Sequence, residues 1–385
     1  MLRLSLALVT IIFASSPALA CTFCGGELRS RQTLRMQYVA AKAVLHGQLK
    51  NPRFDPKTDD GFTDLHVTTA LKDDPARTGA VVVLRSYLPV VGNTPTEYIV
   101  FCGVGNGKLD PTGGVSATAA VLAYLKAAAK LDDADVAARL GFAFKHLDSA
   151  DATVAADAFF EFARASDADI LKAAKVIDPV KVRKLITASE TPAERIGVFA
   201  FLLGVSGGPA DAAFLAGLLK ENPLPERTSG AFGGLLAGYI LLAPKDGWAF
   251  TAGLLGDAKQ SYSVRLSAIS TVRFFQAARG NDCKPDVLKC CAALLPHGDL
   301  ADQAVEDLRR WGYWDLTADI LAQYAKATHS APIVRRGIVR YALCAPTDDA
   351  KRFVAAVRQT DPKLVAGVEE LLELYAPANS PKKNP

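Results

Sequence analysis

TPAERIGVFAFLLG (191–204), YSVRLSAISTVRFF (262–275) and APIVRRGIVRYALC (331–344) are three versions of one phrase. In each, an arginine (Arg195, Arg265, Arg335) stands two residues before a small residue (Gly197, Ser267, Gly337), and a large apolar run follows. The arginines are 70 residues apart, which is two units of about 35. The midpoints are occupied by RTSGAFGGLLAGYIL (227–241) and LADQAVEDLRRW (300–311), and VAADAFFEFA (154–163) lies one unit upstream. A period of 33–38 residues with two helices per unit is the mark of stacked helical repeats, whose units bury their apolar faces only against one another. The period predicts an all-α, HEAT-like solenoid over 115–376. Gly197, Ser267 and Gly337 are expected at close helix contacts. Thr191-Pro192-Ala193-Glu194 reads as a helix start with Thr191 as cap and Glu194 closing a capping box.

Upstream of Ser116 the pattern changes. AKAVLHGQLKN (41–51), FTDLHVTTALKD (62–73), AVVVLRSYLPV (80–90) and EYIVFCGV (97–104) are short β-branched or alternating runs. Gly, Pro, Asn and Asp clusters separate them, as strand boundaries require. Four or five strands in so short a span predict a small β-barrel over 21–114. The stretch GVGNGKL (103–109) departs from both phosphate-loop templates and reads as a turn. The chain is therefore expected to be multidomain β + α.

The first twenty residues, MLRLSLALVTIIFASSPALA, combine Arg3, an apolar run from Leu4 to Phe13, and Ala18 and Ala20 before Cys21. That is the layout of a signal peptide with an A-x-A cleavage site. The run is too short to span a bilayer, and no later segment reaches the roughly 20 apolar residues a membrane helix needs. The reading is an exported protein of the periplasm or cell envelope, or one released outside, with a polar disordered tail at 377–385. A lipid anchor on Cys21 stays open beside a free N-terminal cysteine.

Cys21-Thr22-Phe23-Cys24 lacks the His that haem attachment requires and the preceding strand of a redox helix start. No second Cys-x-x-Cys supplies a structural zinc site. With seven cysteines, at least one is left over or modified. The preferred pairing is Cys24–Cys102, a clasp closing about 80 residues and worth roughly 4 kcal/mol in the chain-entropy picture. Cys21–Cys102 and Cys21–Cys24 are the alternatives. Cys283, Cys290, Cys291 and Cys344 read as packing thiols or one local disulfide.

Net charge is +4 with no basic cluster interleaved with aromatics, so nucleic acid is not an expected partner. Gly204-Val205-Ser206-Gly207-Gly208 matches G-x-S-x-G in letters, but a helix rather than a strand is expected before it. Trp311 and Trp314 flank Gly312 and read as core packing, with a ligand-stacking platform as the alternative. No nucleophile, base and oxyanion donor assemble in the pattern, and no cofactor or metal site is expected. The expected role is non-catalytic binding or scaffolding of a protein or envelope component; the alternative is thiol redox work or metalloprotease inhibition through the Cys21 end.

Two resemblances accompany these readings. CTFC, AKAVLHGQLKN, DLHVTTALKDD and TEYIVFCGV resemble the netrin-like, metalloproteinase-inhibitor type of OB barrel, with C-x-x-C where that family has C-x-C. The resemblance implies an OB fold and, for inhibitors of that type, an N-terminal cysteine amine that caps a catalytic zinc, a role that would fall to Cys21. CTFCGGELRSRQTLR, VFCGVGNGKLDPTGG, DSADATVAADAFFEFA and AVEDLRRWGYWDLT resemble a family of exported bacterial HEAT-like repeat proteins of unknown function, which implies the two-part architecture and no activity.

Overall fold

The structure, a computed structural model, describes residues 31–90, 96–221 and 224–375. Cys21, Cys24, the signal segment and the 377–385 tail lie outside the described residues. The chain divides into two compact units that meet between Lys172 and Ala173.

The first unit opens with α1 (Leu34–Ala40), capped by the Thr33 side chain, which accepts from the Met36 amide. Five strands follow: β1 (Ala43–Asp55), β2 (Asp60–Lys72), β3 (Val81–Leu84), β4 (Thr96–Gly105) and β5 (Lys108–Ser116). They form one antiparallel sheet in the order β3-β2-β1-β4-β5. The β4–β5 hairpin turns on Asn106 and Gly107, both at positive φ (51° and 71°), so GVGNGKL is the two-residue turn its letters suggest. The sheet is open, which corrects the expected closed barrel. β3 is only four residues long, and β5 carries Pro111, Gly113 and Gly114, so these edge strands are poor templates for further pairing.

Side chains alternate along β1 and β4 between two cores. Val44, Ile99 and Phe101 face Leu34 of α1 together with Val121, Tyr124, Leu125 and Val154. These last four come from α2 (Ala119–Ala128) and α4 (Ala152–Arg164); α3 (Val136–His146) lies between them in the chain. Ala43, Leu45, Leu49, Val100 and Cys102 face the other way, with Leu65 and Leu84. An open sheet leaves an apolar face that must be covered, and the helices next in the chain cover it. The strands end at Ser116, near the expected boundary at 114, but the compact unit runs on through Lys172. α5 (Asp167–Ala173) spans that boundary.

In the second unit, α6 (Pro179–Thr187) leads into helix pairs: α7 (Ala193–Ser206) with α8 (Pro209–Leu219), then, after the one-turn α9 (Glu226–Ser229), α10 (Phe232–Leu242) with α11 (Pro244–Gly256). Next come α12 (Tyr262–Arg279) with α13 (Lys284–Leu294), α14 (Ala301–Trp311) with α15 (Thr317–Gln323), and α16 (Pro332–Cys344) with α17 (Asp348–Thr360); α18 (Pro362–Leu374) ends the described chain. Arg195, Arg265 and Arg335 each lie in the first turns of α7, α12 and α16. First helices pack on first helices (α7 on α10, α10 on α12, α14 on α16), and second on second (α11 on α13, α15 on α17).

The side-chain bonds between successive pairs span 28 to 41 residues, and three of them span 34. Arg265 Nη1 donates to Asp299 Oδ1 (3.1 Å), Arg273 Nε to Asp307 Oδ2 (2.6 Å), and His329 Nε2 meets the Leu295 carbonyl (2.8 Å), each across 34 residues.

Two local expectations are corrected. α7 starts at Ala193 with Pro192 as N-cap and no side-chain cap, so Thr191 does not close a capping box. The tight helix seam is between α7 and α10, where a Cβ on Gly234 would lie 2.4 Å from the Gly197 Cα and one on Gly204 2.6 Å from the Gly238 Cα. At Gly337 a Cβ would meet only Val305 Cγ1, at 4.0 Å, because that position opens on a groove.

Candidate functional site

Cys102 is the one sequence-predicted site residue within the described set. It lies inside β4, opposite Ala43, with its side chain in the core among Leu45, Leu65 and Val100. It is a free thiol, and burial, with the Asp110 carboxylate second, pushes it up to about 11. The Cys24 end of the expected Cys24–Cys102 bond lies outside the described residues; β4 runs on to Gly105, so Cys102 is a mid-strand core residue. Cys283, Cys290 and Cys291 are likewise buried free thiols; burial pushes Cys290 up to about 12 and Cys291 well above its ordinary value. Such thiols are poor nucleophiles at neutral pH.

Ser206 ends α7 and donates to the Leu202 carbonyl (2.8 Å), as a helix-terminal serine does, so the G-x-S-x-G letters form no nucleophile elbow. Trp314 packs edge-on against Tyr341 at 5.0 Å between ring centres, and Gly312 takes the left-handed cap that ends α14. Among the described residues no group of three His, Cys, Asp or Glu is placed to hold a metal ion.

The first unit holds a buried polar node that sequence reasoning missed. Asp157 and Glu161, one helical turn apart on α4, are both buried. Thr33 Oγ1 donates to Glu161 Oε1 at 2.7 Å, and the Leu34 amide donates to Asp157 Oδ1 at 2.7 Å. Arg35 pairs with Glu161 (3.4 Å) and with Asp133, and Arg139 reaches Glu161 Oε2 (3.4 Å). Burial pushes Asp157 up to about 6, against the pull of the Leu34 amide and the Tyr124 hydroxyl. A cleft of about 440 Å³ opens beside the node, lined by Arg35, Asp133, Arg139 and Arg164. The signal was present in VAADAFFEFA: two acids at i and i+4 inside an apolar stripe, where a solvated charge has no place.

The second unit carries two adjoining clefts, one on each side of α16. One, of about 700 Å³, lies against α14 and is lined by Arg273, Glu306, Asp307, Arg310 and Arg340. Arg273 pairs there with Asp307, and Arg309, Arg310 and Arg340 share Glu306. Burial pushes Glu306 up, but Arg309 and Arg310 hold it below the usual carboxylate range. The other cleft, of about 530 Å³, lies against α18 and contains Arg335, Arg336, Lys363 and Asp361. Pro332, Arg336 and Leu371 belong to both. The letters VRRGIVR show this arginine run, but nothing in them says which guanidinium is paired. No family model, curated protein or solved structure matches the chain.

Proposed function

We propose that this is a non-catalytic binding or scaffold protein whose helical pairs form a HEAT-like solenoid, with the clefts beside α16 as its partner-binding surface. The observation that carries the reading is the packing of first helices on first helices (α7 on α10, α10 on α12, α14 on α16) and of second on second (α11 on α13, α15 on α17). Units stacked in this way expose a continuous row of first helices, and the grooves between them are the natural place for a partner. Buried thiols of raised pKa and a helix-bound Ser206 favour binding over catalysis. The order β3-β2-β1-β4-β5, with β4 returning beside β1, supports an OB-like module left open between β3 and β5. The apolar run Leu4–Phe13 and the Ala18-Leu19-Ala20 site support export to the periplasm or envelope, with a protein or envelope component as partner.

A photo-crosslinking residue in place of Ile333, which is 65% exposed beside the cleft, tests the reading in the cell of origin. The expected result is a covalent adduct of defined mass, absent when the same probe replaces the exposed Val180 of α6. Equal labelling from both positions, or none from either, would overturn it.

A further inference from the structure

The two clefts beside α16 differ in one respect that points to a ligand. In the α14-side cleft Arg273, Arg310 and Arg340 each have an ion-pair partner in Asp307 or Glu306, while Arg336, which lines both clefts, has none among the described residues. The cations of the α18-side cleft are all without one. Among the described residues Arg336 and Lys363 make no ion pair, and Arg335 makes none either: it stacks on the Tyr324 ring at 5.4 Å, and its Nε is buried without a hydrogen-bond partner. The only acid in this lining is Asp361, and its carboxylate is engaged as the cap of α18, accepting from the Leu364 amide at 3.1 Å. The first turn of α16 adds no acid; Pro332 there has no N–H, and the Val334 and Arg335 amides donate to the Ala331 carbonyl. Three cations therefore face one cleft.

We propose that this cleft binds an extended acidic peptide segment of a partner protein, with carboxylates on Arg335, Arg336 and Lys363. This rests on the binding-protein reading above. A guanidinium matches a carboxylate through paired N–H donors, which suits Arg335 and Arg336 to that group. Size and lining favour a peptide over a lone anion. A space of about 530 Å³ is far larger than one carboxylate, and it continues past Arg336 and Leu371 into the neighbouring groove. Ile333, Leu364 and Leu371 are interleaved with the cations, so a segment alternating acidic and apolar residues would meet both kinds of surface.

The test is fluorescence anisotropy on the full exported chain, with a labelled peptide of alternating glutamate and leucine and a matched lysine–leucine peptide. The acidic peptide is expected to bind and the basic one not. Binding should weaken as salt rises, because the cations are open to solvent ions. Arg336→Gln and Lys363→Gln should each weaken it roughly tenfold, the size of one charge-assisted hydrogen bond, while Arg352→Gln, outside the cleft, leaves it unchanged. Equal affinity for the two peptides, or indifference to both cleft substitutions, would overturn the proposal. So would full displacement by millimolar inorganic phosphate, or preference for anionic vesicles, since a small-anion or lipid site would then explain the cations. If the peptide fails while the Ile333 adduct persists, the acidic-segment assignment falls and the binding reading stands; if both fail, both fall.

Discussion

Thr33 Oγ1 donates to Glu161 Oε1 at 2.7 Å across 128 residues of chain. The same hydroxyl caps α1 by accepting from the Met36 amide. One side chain thus starts α1 and ties its N-terminus to α4. Arg35, two residues on, adds its guanidinium to the same carboxylate, and both partners are more than nine-tenths buried (7% and 8% side-chain exposure).

Removing Glu161 should therefore be costly. Glu161→Ala leaves the Arg35 guanidinium buried with the exposed Asp133 as its remaining ion-pair partner. Breaking one side of a buried pair costs about 3–5 kcal/mol. Urea unfolding should show a loss of that size, with Glu161→Gln milder because it still accepts from Thr33. An unchanged midpoint for Glu161→Ala would show that the node does not hold the start of α1 in place.

Asp157 gives the node a pH dependence of known sign. Its folded value, about 6, stands above the ordinary 3.8, so the folded chain holds the proton more tightly than the unfolded one. The protonated form's contribution is fully present below about 3.8 and is lost as pH rises through about 6. A shift of this size corresponds to about 3 kcal/mol. Asp157→Asn keeps an acceptor for the Leu34 amide and removes the titration. The stability difference between Asp157→Asn and the native chain should grow in the variant's favour from pH 4 to pH 7; a flat difference would argue against the raised value.

The helix seam predicts opposite outcomes for two glycines. A Cβ on Gly238 would lie 2.3 Å from the Ala200 carbonyl oxygen, a backbone atom that cannot step aside cheaply. Gly238→Ala should cost about 1–3 kcal/mol by overpacking α7 against α10. Gly337 faces open space, so Gly337→Ala should be neutral or gain up to about 1 kcal/mol from helix propensity. Thermal melts of the two variants would separate them, and the reverse ranking would refute the assignment of the seam.

Thiol labelling follows burial. Cys344 is partly exposed, while Cys102, Cys290 and Cys291 are buried and pushed toward the protonated thiol. In the folded protein at pH 8, iodoacetamide should modify Cys344 first, with the other three reacting only on unfolding. Mass spectrometry of the labelled peptides reads the order. Unfolding without reductant should release Cys102 as a free thiol; a Cys102 that stays unreactive until reduced would establish the clasp.

What the sequence determined by itself was local. Apolar spacing marked the helices from Ala119 onward, and the recurrence of Arg195, Arg265 and Arg335 marked equivalent helix starts. Asn106-Gly107 marked its hairpin, because only residues tolerant of positive φ fit such a turn. Each of these is a property of a few neighbouring residues, and so can be read from their letters. What the tertiary structure decided was who meets whom. The sheet stayed open because its apolar face found α2 and α4 to cover it, which carried the first unit past the change of pattern at Ser116 to Lys172. Asp157 and Glu161 became a buried node because Thr33, Leu34 and Arg35 arrived from more than 120 residues away. Cys102 became a core thiol because β4 runs on past it. Of the arginines around α16, Arg273 found Asp307 and Arg310 and Arg340 found Glu306, while Arg335 and Arg336 face a cleft with no ion-pair partner among the described residues. Burial and pairing depend on contacts between distant segments, and no single window of sequence contains both sides of such a contact.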